Sequence, residues 1–201
     1  MTSKRLLIAL SGLMLVALLG VGVAQLVSQS PARTDRTART PPLTRAQMQA
    51  RLTGSPPVLA ALHAQANQLL GGGERALRAR LAELRGRPVV INKWASWCGP
   101  CRSEFGAFQR AAVEQGREVA FIGIDSGEPN RGGARAFLSA FPVSYPSYYD
   151  HSGSLGTKLT DTSFMPATVF YDRAGRQYIH QGPYRSLAKL SQDVERYALG
   201  A

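Results

Sequence analysis

The sequence has little cysteine, histidine or lysine: two, three and four among 201 residues. A structural zinc site needs four ligands, and there is no second cysteine pair to complete one. The three histidines, His63, His151 and His180, are scattered singly along the chain, which is typical of surface or core positions rather than of metal ligands. The sequence therefore predicts neither a metal site nor a bound cofactor.

Acidic residues are also scarce, with 13 against 24 basic residues and a net charge of +11. Nucleic-acid binders usually cluster basic residues on one helix or interleave them with aromatic residues. Here the arginines are spread over a polar stretch near the N-terminus and around one predicted helix (Arg33, Arg36, Arg39, Arg75, Arg78, Arg80, Arg85, Arg87). This distribution indicates a solvated surface or weak attraction to anionic lipid headgroups, and it argues against nucleic-acid binding.

The N-terminus carries a long apolar run. Lys4 and Arg5 precede residues 6–27, which contain no charged side chain and are enough to span a bilayer core as a helix. The basic flank predicts that residues 1–5 stay in the cytoplasm. A cleaved signal peptide is the alternative, because residues 22–24 are small enough for a cleavage site. Both interpretations predict that the rest of the chain is exported.

Two segments separate this run from the main domain. Residues 28–42 contain proline, serine and arginine without an apolar period, which predicts a flexible linker. Residues 43–85 are predicted to be a helical extension, broken at 54–57 and at 71–73. Its last helix carries Leu77, Leu81 and Leu84 at the spacing of one amphipathic face.

Residues 86–201 alternate between strand and helix patterns. Predicted strands lie at 89–92, 119–125, 167–172 and 176–182, predicted helices follow Cys98, Ala134 and Leu187, and residues 145–149 are a further candidate strand. The strand at 119–125 is apolar on both faces, as a central strand must be. The order β-α-β-α-β-β-α predicts an α/β fold in which helices flank both faces of a mixed sheet.

Both cysteines stand in the stretch Trp97-Cys98-Gly99-Pro100-Cys101, between the first of these strands and a helix. A bond across so short a loop would hardly constrain the unfolded chain, so a redox role is favoured over a structural bridge. At a helix start, free N–H groups and the helix dipole favour the Cys98 thiolate, and Cys101 lies one turn further on the same face. Gly99 permits the tight turn, Pro100 suits a first helical position, and Trp97 offers an apolar wall.

The segment VVINKWASWCGPCRSEF, residues 89–105, resembles the active-site segment of thioredoxin-fold proteins. It is most similar to the exported, membrane-tethered TlpA/ResA/DsbE-like thiol–disulfide oxidoreductases. The likeness extends from about Leu84 to the C-terminus and includes residues 85–90, residues 172–176 and Gly182. It implies a thioredoxin-like domain over residues 86–201, with a strand–helix insert between about 126 and 162.

The resemblance also implies further site residues. Pro166 holds the place of a cis proline whose preceding residue, Met165, offers its backbone to a substrate peptide. The alternative is a trans proline that merely starts an edge strand. Glu104 corresponds to an acid that tunes the cysteine pKa, and the alternative is a carboxylate that favours the helix dipole. Asn92 stands where cytosolic thioredoxins have a buried aspartate, and its amide cannot accept a proton.

The expected function is a thiol–disulfide oxidoreductase that acts on protein thiols and disulfides. The Gly99–Pro100 dipeptide favours a reductant, whereas an exported compartment favours an oxidant unless a membrane partner supplies electrons. By analogy the role is cytochrome c maturation or extracytoplasmic thiol homeostasis, in a single-pass protein of the bacterial cytoplasmic membrane, or a secreted one if the segment is cleaved. The alternative is a binding module for copper or cysteine-rich partners on the same fold, although no histidine is an evident partner of the cysteines.

Overall fold

The computed structural model describes residues 42–201. The predicted membrane segment 6–27 and all but the last residue of the predicted linker 28–42 lie outside these residues. Within residues 42–201, no helix is long and apolar enough to cross a bilayer. The helices of this part are α1 (Arg45–Arg51), α2 (Pro57–His63), α3 (Gly73–Glu83), α4 (Gly99–Glu114), α5 (Arg131–Ala140), α6 (Ser154–Thr160) and α7 (Leu187–Asp193), which continues as a π-helix over Val194–Leu199.

Within residues 42–201 six strands form one sheet: β1 (Leu69–Leu70), β2 (Val89–Trp94), β3 (Ala120–Ser126), β4 (Ser147–Asp150), β5 (Ala167–Tyr171) and β6 (Gln177–Gln181). Their spatial order is β1-β4-β3-β2-β5-β6. The pairs β1–β4, β4–β3 and β3–β2 are parallel, whereas β2–β5 and β5–β6 are antiparallel. The predicted mixed sheet is therefore present, and β2, which leads to the cysteines, lies near its centre.

Each face of the sheet buries its own apolar cluster. Val90 and Phe121 point to the face covered by α4, α5 and α7, while Ile91 and Ile122 point to the opposite face. This follows from the period of two along a strand, because neighbouring side chains alternate between the faces. All residues of β2 and β3 are buried, and this burial was predicted for the strand at 119–125.

Helices α2 and α3 of the extension before β2 pack against the second face. Leu59 of α2, Leu77 of α3 and Leu84 just after α3 are buried in the same cluster as Ile91 and Ile122. Two helices of the extension begin at residues typical of a helix start. Thr44 forms a capping box with Gln47 at the start of α1, and Pro57 occupies the first position of α2. The extension thus contributes to the core of the domain.

Two elements differ from the predicted order. Leu69–Leu70, expected in a helical stretch, is a strand because its backbone pairs in parallel with β4, Leu69 opposite Ser147. The apolar periodicity of the sequence does not predict the helix α6, but α6 lies within the insert that the resemblance implies. It is short, and a glycine, Gly156, occupies its buried side, which leaves little apolar period to detect.

Candidate active site

The two cysteines lie where β2 ends and α4 begins, and their sulfurs form a disulfide bond. Cys98 is the N-cap residue of α4, and its Sγ accepts a hydrogen bond from the backbone N–H of Cys101 at 3.2 Å. Pro100 stands in the first turn of the helix. Cys101 is fully buried, whereas 5% of Cys98 is exposed. Cys98 is therefore the cysteine that a partner reaches first.

The loop before Cys98 is held by the loop that follows β3 and by the first turns of α4. The backbone N–H of Ser96 donates to the buried carboxylate of Glu128 at 2.9 Å, and the indole N–H of Trp97 donates to the carbonyl of Gly127 at 3.0 Å. The guanidinium of Arg102 bonds the Ser96 carbonyl at 3.1 Å. These contacts fix the backbone while leaving 58% of Trp97 exposed beside the disulfide.

A group of buried polar side chains lies on the same side of the sheet as α4. One carboxylate oxygen of Glu104 accepts the backbone N–H of Tyr184 at 3.0 Å, while its other oxygen has no partner among residues 42–201. The amide of Asn92 and the hydroxyl of Tyr145 lie side by side without completing a hydrogen bond. Unpaired buried polar atoms are costly, and they concentrate at functional sites.

Burial controls the charge of these carboxyl groups. It raises the pKa of Glu104 from 4.5 to about 8, although the N–H of Tyr184 acts in the opposite direction. Burial likewise raises the pKa of Asp125 to about 8, and the nearby charges of Glu128 and Asp150 add to this. Glu104 is therefore largely protonated at neutral pH, because its surroundings favour the neutral form.

The predicted proline loop is brought to the cysteines. The Met165–Pro166 peptide bond is cis, and β5 begins at the next residue, Ala167. The Met165 side chain packs against the apolar cluster that contains both cysteines. The structure thus gathers residues 97–101, Glu104, Met165 and Pro166 around one end of the central strands, while their roles in catalysis and binding remain predictions.

Sequence reasoning missed several residues of this region. Tyr184 is 80 residues from Glu104, and its hydroxyl donates to Asp193 at 2.9 Å in a buried site. Glu128 lies in a loop without a motif. Lys93 could have been found, because a cation inside the apolar run VVINKW of β2 indicates a buried lysine. None of these positions has a sequence neighbour that reveals its contact.

The histidines do not gather near the disulfide as a metal centre would require. His63 is half-buried on α2, His151 contacts Tyr149, and His180 stacks on Tyr184. Within residues 42–201, no three side chains of histidine, cysteine, aspartate or glutamate are grouped as metal ligands.

Several known proteins with similar sequences carry thioredoxin-like or thiol–disulfide names. The chain is 30% identical over 108 residues to the thioredoxin-like protein YneN of Bacillus subtilis. The aligned residues cover 52% of this chain and 62% of that protein. It is 36% identical over 95 residues to the thiol:disulfide interchange protein DsbE of Pseudomonas fluorescens biotype C, which covers 47% of this chain and 51% of the relative. The chain thus matches about half to three fifths of these relatives.

A solved structure supports the same fold. A secreted Mycobacterium tuberculosis disulfide oxidoreductase homologous to DsbE superimposes with a TM-score of 0.52 at 26% identity, over 57% of this chain and 85% of that one. The predicted thioredoxin-like fold is confirmed. The family model for Redoxin matches residues 75–186, from α3 to the turn before α7, and so includes the disulfide and the proline loop. By this match over more than half its length, the chain belongs to the Redoxin family.

Proposed function

We propose that the protein is a thiol–disulfide oxidoreductase in which Cys98 and Cys101 exchange their disulfide with a substrate protein. The observation that carries this proposal is the disulfide at the N-terminus of α4, where the Cys98 sulfur accepts a backbone N–H at 3.2 Å. A helix N-terminus stabilises a thiolate, which is the attacking form of cysteine. The names of the DsbE-like relatives support the same chemistry.

In the reducing direction the protein begins as the dithiol. The Cys98 thiolate attacks a substrate disulfide, so that the substrate S–S bond breaks, a mixed disulfide forms and one substrate sulfur leaves as thiolate. The Cys101 thiolate then attacks the Cys98 sulfur, which releases the second substrate sulfur and closes the Cys98–Cys101 bond. Two electrons pass to the substrate, whose sulfurs take up two protons. An external dithiol must return two electrons to the protein, and oxidation of substrate thiols is the reverse sequence.

Glu104 is proposed to tune the ionisation of Cys101. It lies one helical turn after Cys101 on α4, and both side chains are fully buried. Burial raises the pKa of Glu104 to about 8, so that the carboxyl group can both hold and release a proton near neutral pH. The buried amide of Asn92 has no such capacity.

The backbone of Met165 is proposed to seat the substrate. Its N–H and C=O form no hydrogen bond within residues 42–201, and the ladder between β2 and β5 ends at the pair Lys93–Ala167. Backbone groups left free at the end of a ladder can pair with an extended peptide. Because the Met165 side chain packs on the cluster that contains the disulfide, such a peptide would lie beside Cys98, with Trp97 as an apolar wall.

The setting of this reaction is proposed from the N-terminal sequence and the relatives. Residues 6–27 would act as a membrane anchor or a cleaved signal and place the redox domain outside the cytoplasm, and the secreted mycobacterial relative supports export. As a reductant the protein would need a membrane electron donor. A role in cytochrome c maturation or extracytoplasmic thiol homeostasis rests on likeness to the TlpA/ResA/DsbE group alone.

Insulin-disulfide reduction tests the assignment. Cys98→Ser should abolish the activity because it removes the attacking sulfur, and retained activity in this variant would show the assignment to be wrong. Cys101→Ser, the matched variant, should still attack but accumulate a mixed disulfide that mass spectrometry detects. The reduction potential then sets the direction: a value near thioredoxin's about −270 mV indicates a reductant, and one near DsbA's about −120 mV an oxidant.

A further inference from the structure

Lys93 is a buried lysine near the carboxyl end of the central strand β2. It lies on β2 and is 1% exposed, and no carboxylate within residues 42–201 lies within ion-pair distance of it. A buried ammonium group must have its donors satisfied, because it has lost its hydration. The acceptors of these donors therefore show which part of the chain Lys93 holds in place.

Within residues 42–201, the hydrogen bonds of the Lys93 ammonium group all go to one short segment, residues 160–164. The Lys93 ammonium donates to the Thr160 hydroxyl at 3.2 Å, to the Thr162 carbonyl at 2.5 Å and to the Phe164 carbonyl at 3.3 Å. An ammonium has three donors, so this segment accounts for its whole capacity. The segment ends directly before Met165, whose backbone is proposed to pair with the substrate peptide.

The segment is also held from its own side. The Thr162 hydroxyl accepts the backbone N–H of Phe164 at 3.1 Å, and the Thr160 hydroxyl donates to the Gly156 carbonyl at 2.8 Å. The helix α6 approaches Lys93 so closely that a Cβ on Gly156 would lie 3.0 Å from the lysine Cε. The backbone of residues 160–164 is thus fixed before any partner binds.

This fixed backbone displays an aromatic side chain to solvent. Phe164 is 76% exposed, the largest exposed fraction of any large hydrophobic residue among residues 42–201, and Trp97 follows with 58%. One of them precedes Cys98 and the other precedes Met165. An exposed aromatic ring on a backbone that is already held can bury apolar area at little cost in backbone conformational entropy.

We propose that Phe164 is a specificity-determining contact for an apolar side chain next to the reacting cysteine of the substrate, and that Lys93 is the positioning residue that holds it there. The inference rests on the proposed function, because the bound segment is the peptide that pairs with the Met165 backbone. It assigns to this protein a preference for extended substrate segments that carry a large apolar residue beside the cysteine.

Two synthetic disulfide peptides that differ only in phenylalanine or serine next to the cysteine test the proposal. The fully reduced protein is mixed with each peptide, and the second-order rate constants are measured by the appearance of peptide thiols. Each event converts one peptide disulfide into two thiols and the protein dithiol into its disulfide. The wild-type protein should react about tenfold faster with the phenylalanine peptide than with the serine peptide. This factor is expected if the peptide phenylalanine buries about half of its side-chain area against Phe164.

Phe164→Ala should lower this ratio to about one, and Phe164→Leu should restore most of it because leucine keeps apolar area. Lys93→Met should lower the ratio as well, and the double variant with Phe164→Ala should show no further loss, since lysine acts through the ring. Lys158→Met, which removes an exposed lysine of α6, is the matched control and should retain the wild-type ratio.

The outcomes separate this inference from the proposed function. A wild-type protein that reacts equally with both peptides, or a Phe164→Ala variant that keeps the tenfold ratio, would overturn the inference alone. A wild-type protein that reacts with neither peptide would overturn the proposed function and the inference with it. Because Phe164 is exposed, its variants decide the question even if Lys93→Met does not fold.

Discussion

Replacing Glu104 by glutamine should make the stability of the protein less dependent on pH. The glutamine carbonyl can still accept the N–H of Tyr184, which bonds Glu104 at 3.0 Å. Unlike the carboxyl group, the amide is neutral at every pH. The exchange therefore removes a buried ionisable group while keeping its shape and its hydrogen bond.

The magnitude follows from the raised pKa of this carboxyl group. Burial raises the pKa of Glu104 from 4.5 to about 8. Below pH 4.5 both the folded and the unfolded chain hold the proton, so nothing is lost there. Between pH 4.5 and 8 only the unfolded chain releases it, and the wild-type protein loses about 1.4 kcal/mol of unfolding free energy per pH unit. The total loss amounts to about 5 kcal/mol above pH 8.

Urea unfolding at a series of pH values from 5 to 9, with the disulfide intact, measures this effect. The unfolding free energy of Glu104→Gln minus that of the wild type should rise steadily up to about pH 8 and then level off. Asp125, whose pKa is also raised by burial, is present in both proteins and cancels in the difference. Glu114→Gln, an exposed residue at the end of α4, is the control. A difference that stays constant with pH would refute the reasoning.

Three further variants test the packing by urea unfolding. Gly123→Ala should cost about 1–3 kcal/mol because its Cβ would overlap the Ser147 hydroxyl, and an unchanged stability would contradict this packing. Gly106→Ala, the control within α4, should instead stabilise by about 0.5–1 kcal/mol, since nothing lies within 4 Å of the added Cβ, and a loss would show that the helix is not free there. Tyr184→Phe should cost about 1–3 kcal/mol because Asp193 loses a buried hydrogen bond of 2.9 Å, and wild-type stability in this variant would exclude that contribution.

The parts of the site that are local in sequence could be predicted without a structure. The placement of Cys98 at a helix start depends on the strand before it and on Gly99 and Pro100 after it. The buried positions 89–91 of β2 and 120–124 of β3 follow from apolar runs, which are typical of central strands. The resemblance added Pro166, whose peptide bond with Met165 is cis.

Other parts depend on how distant segments meet. Leu69–Leu70 is a strand only because β4 offers it a partner, since two residues carry no period of their own. Glu104 is buried against a residue 80 positions away, and Lys93 bonds a carbonyl 71 positions away. No local pattern encodes such distances.

The sequence by itself determined the proposed chemistry of this protein, because two cysteines separated by glycine and proline between a strand and a helix predict a redox pair through neighbouring residues alone. Only the tertiary structure decided which groups surround that pair. The packing of α4 against Tyr184 buries Glu104 and sets the charge of its carboxyl group. The hydrogen bonds of Lys93 hold Phe164 exposed beside Met165. Burial and long-range hydrogen bonds exist only after the chain has folded, and they are the physical reason for this division.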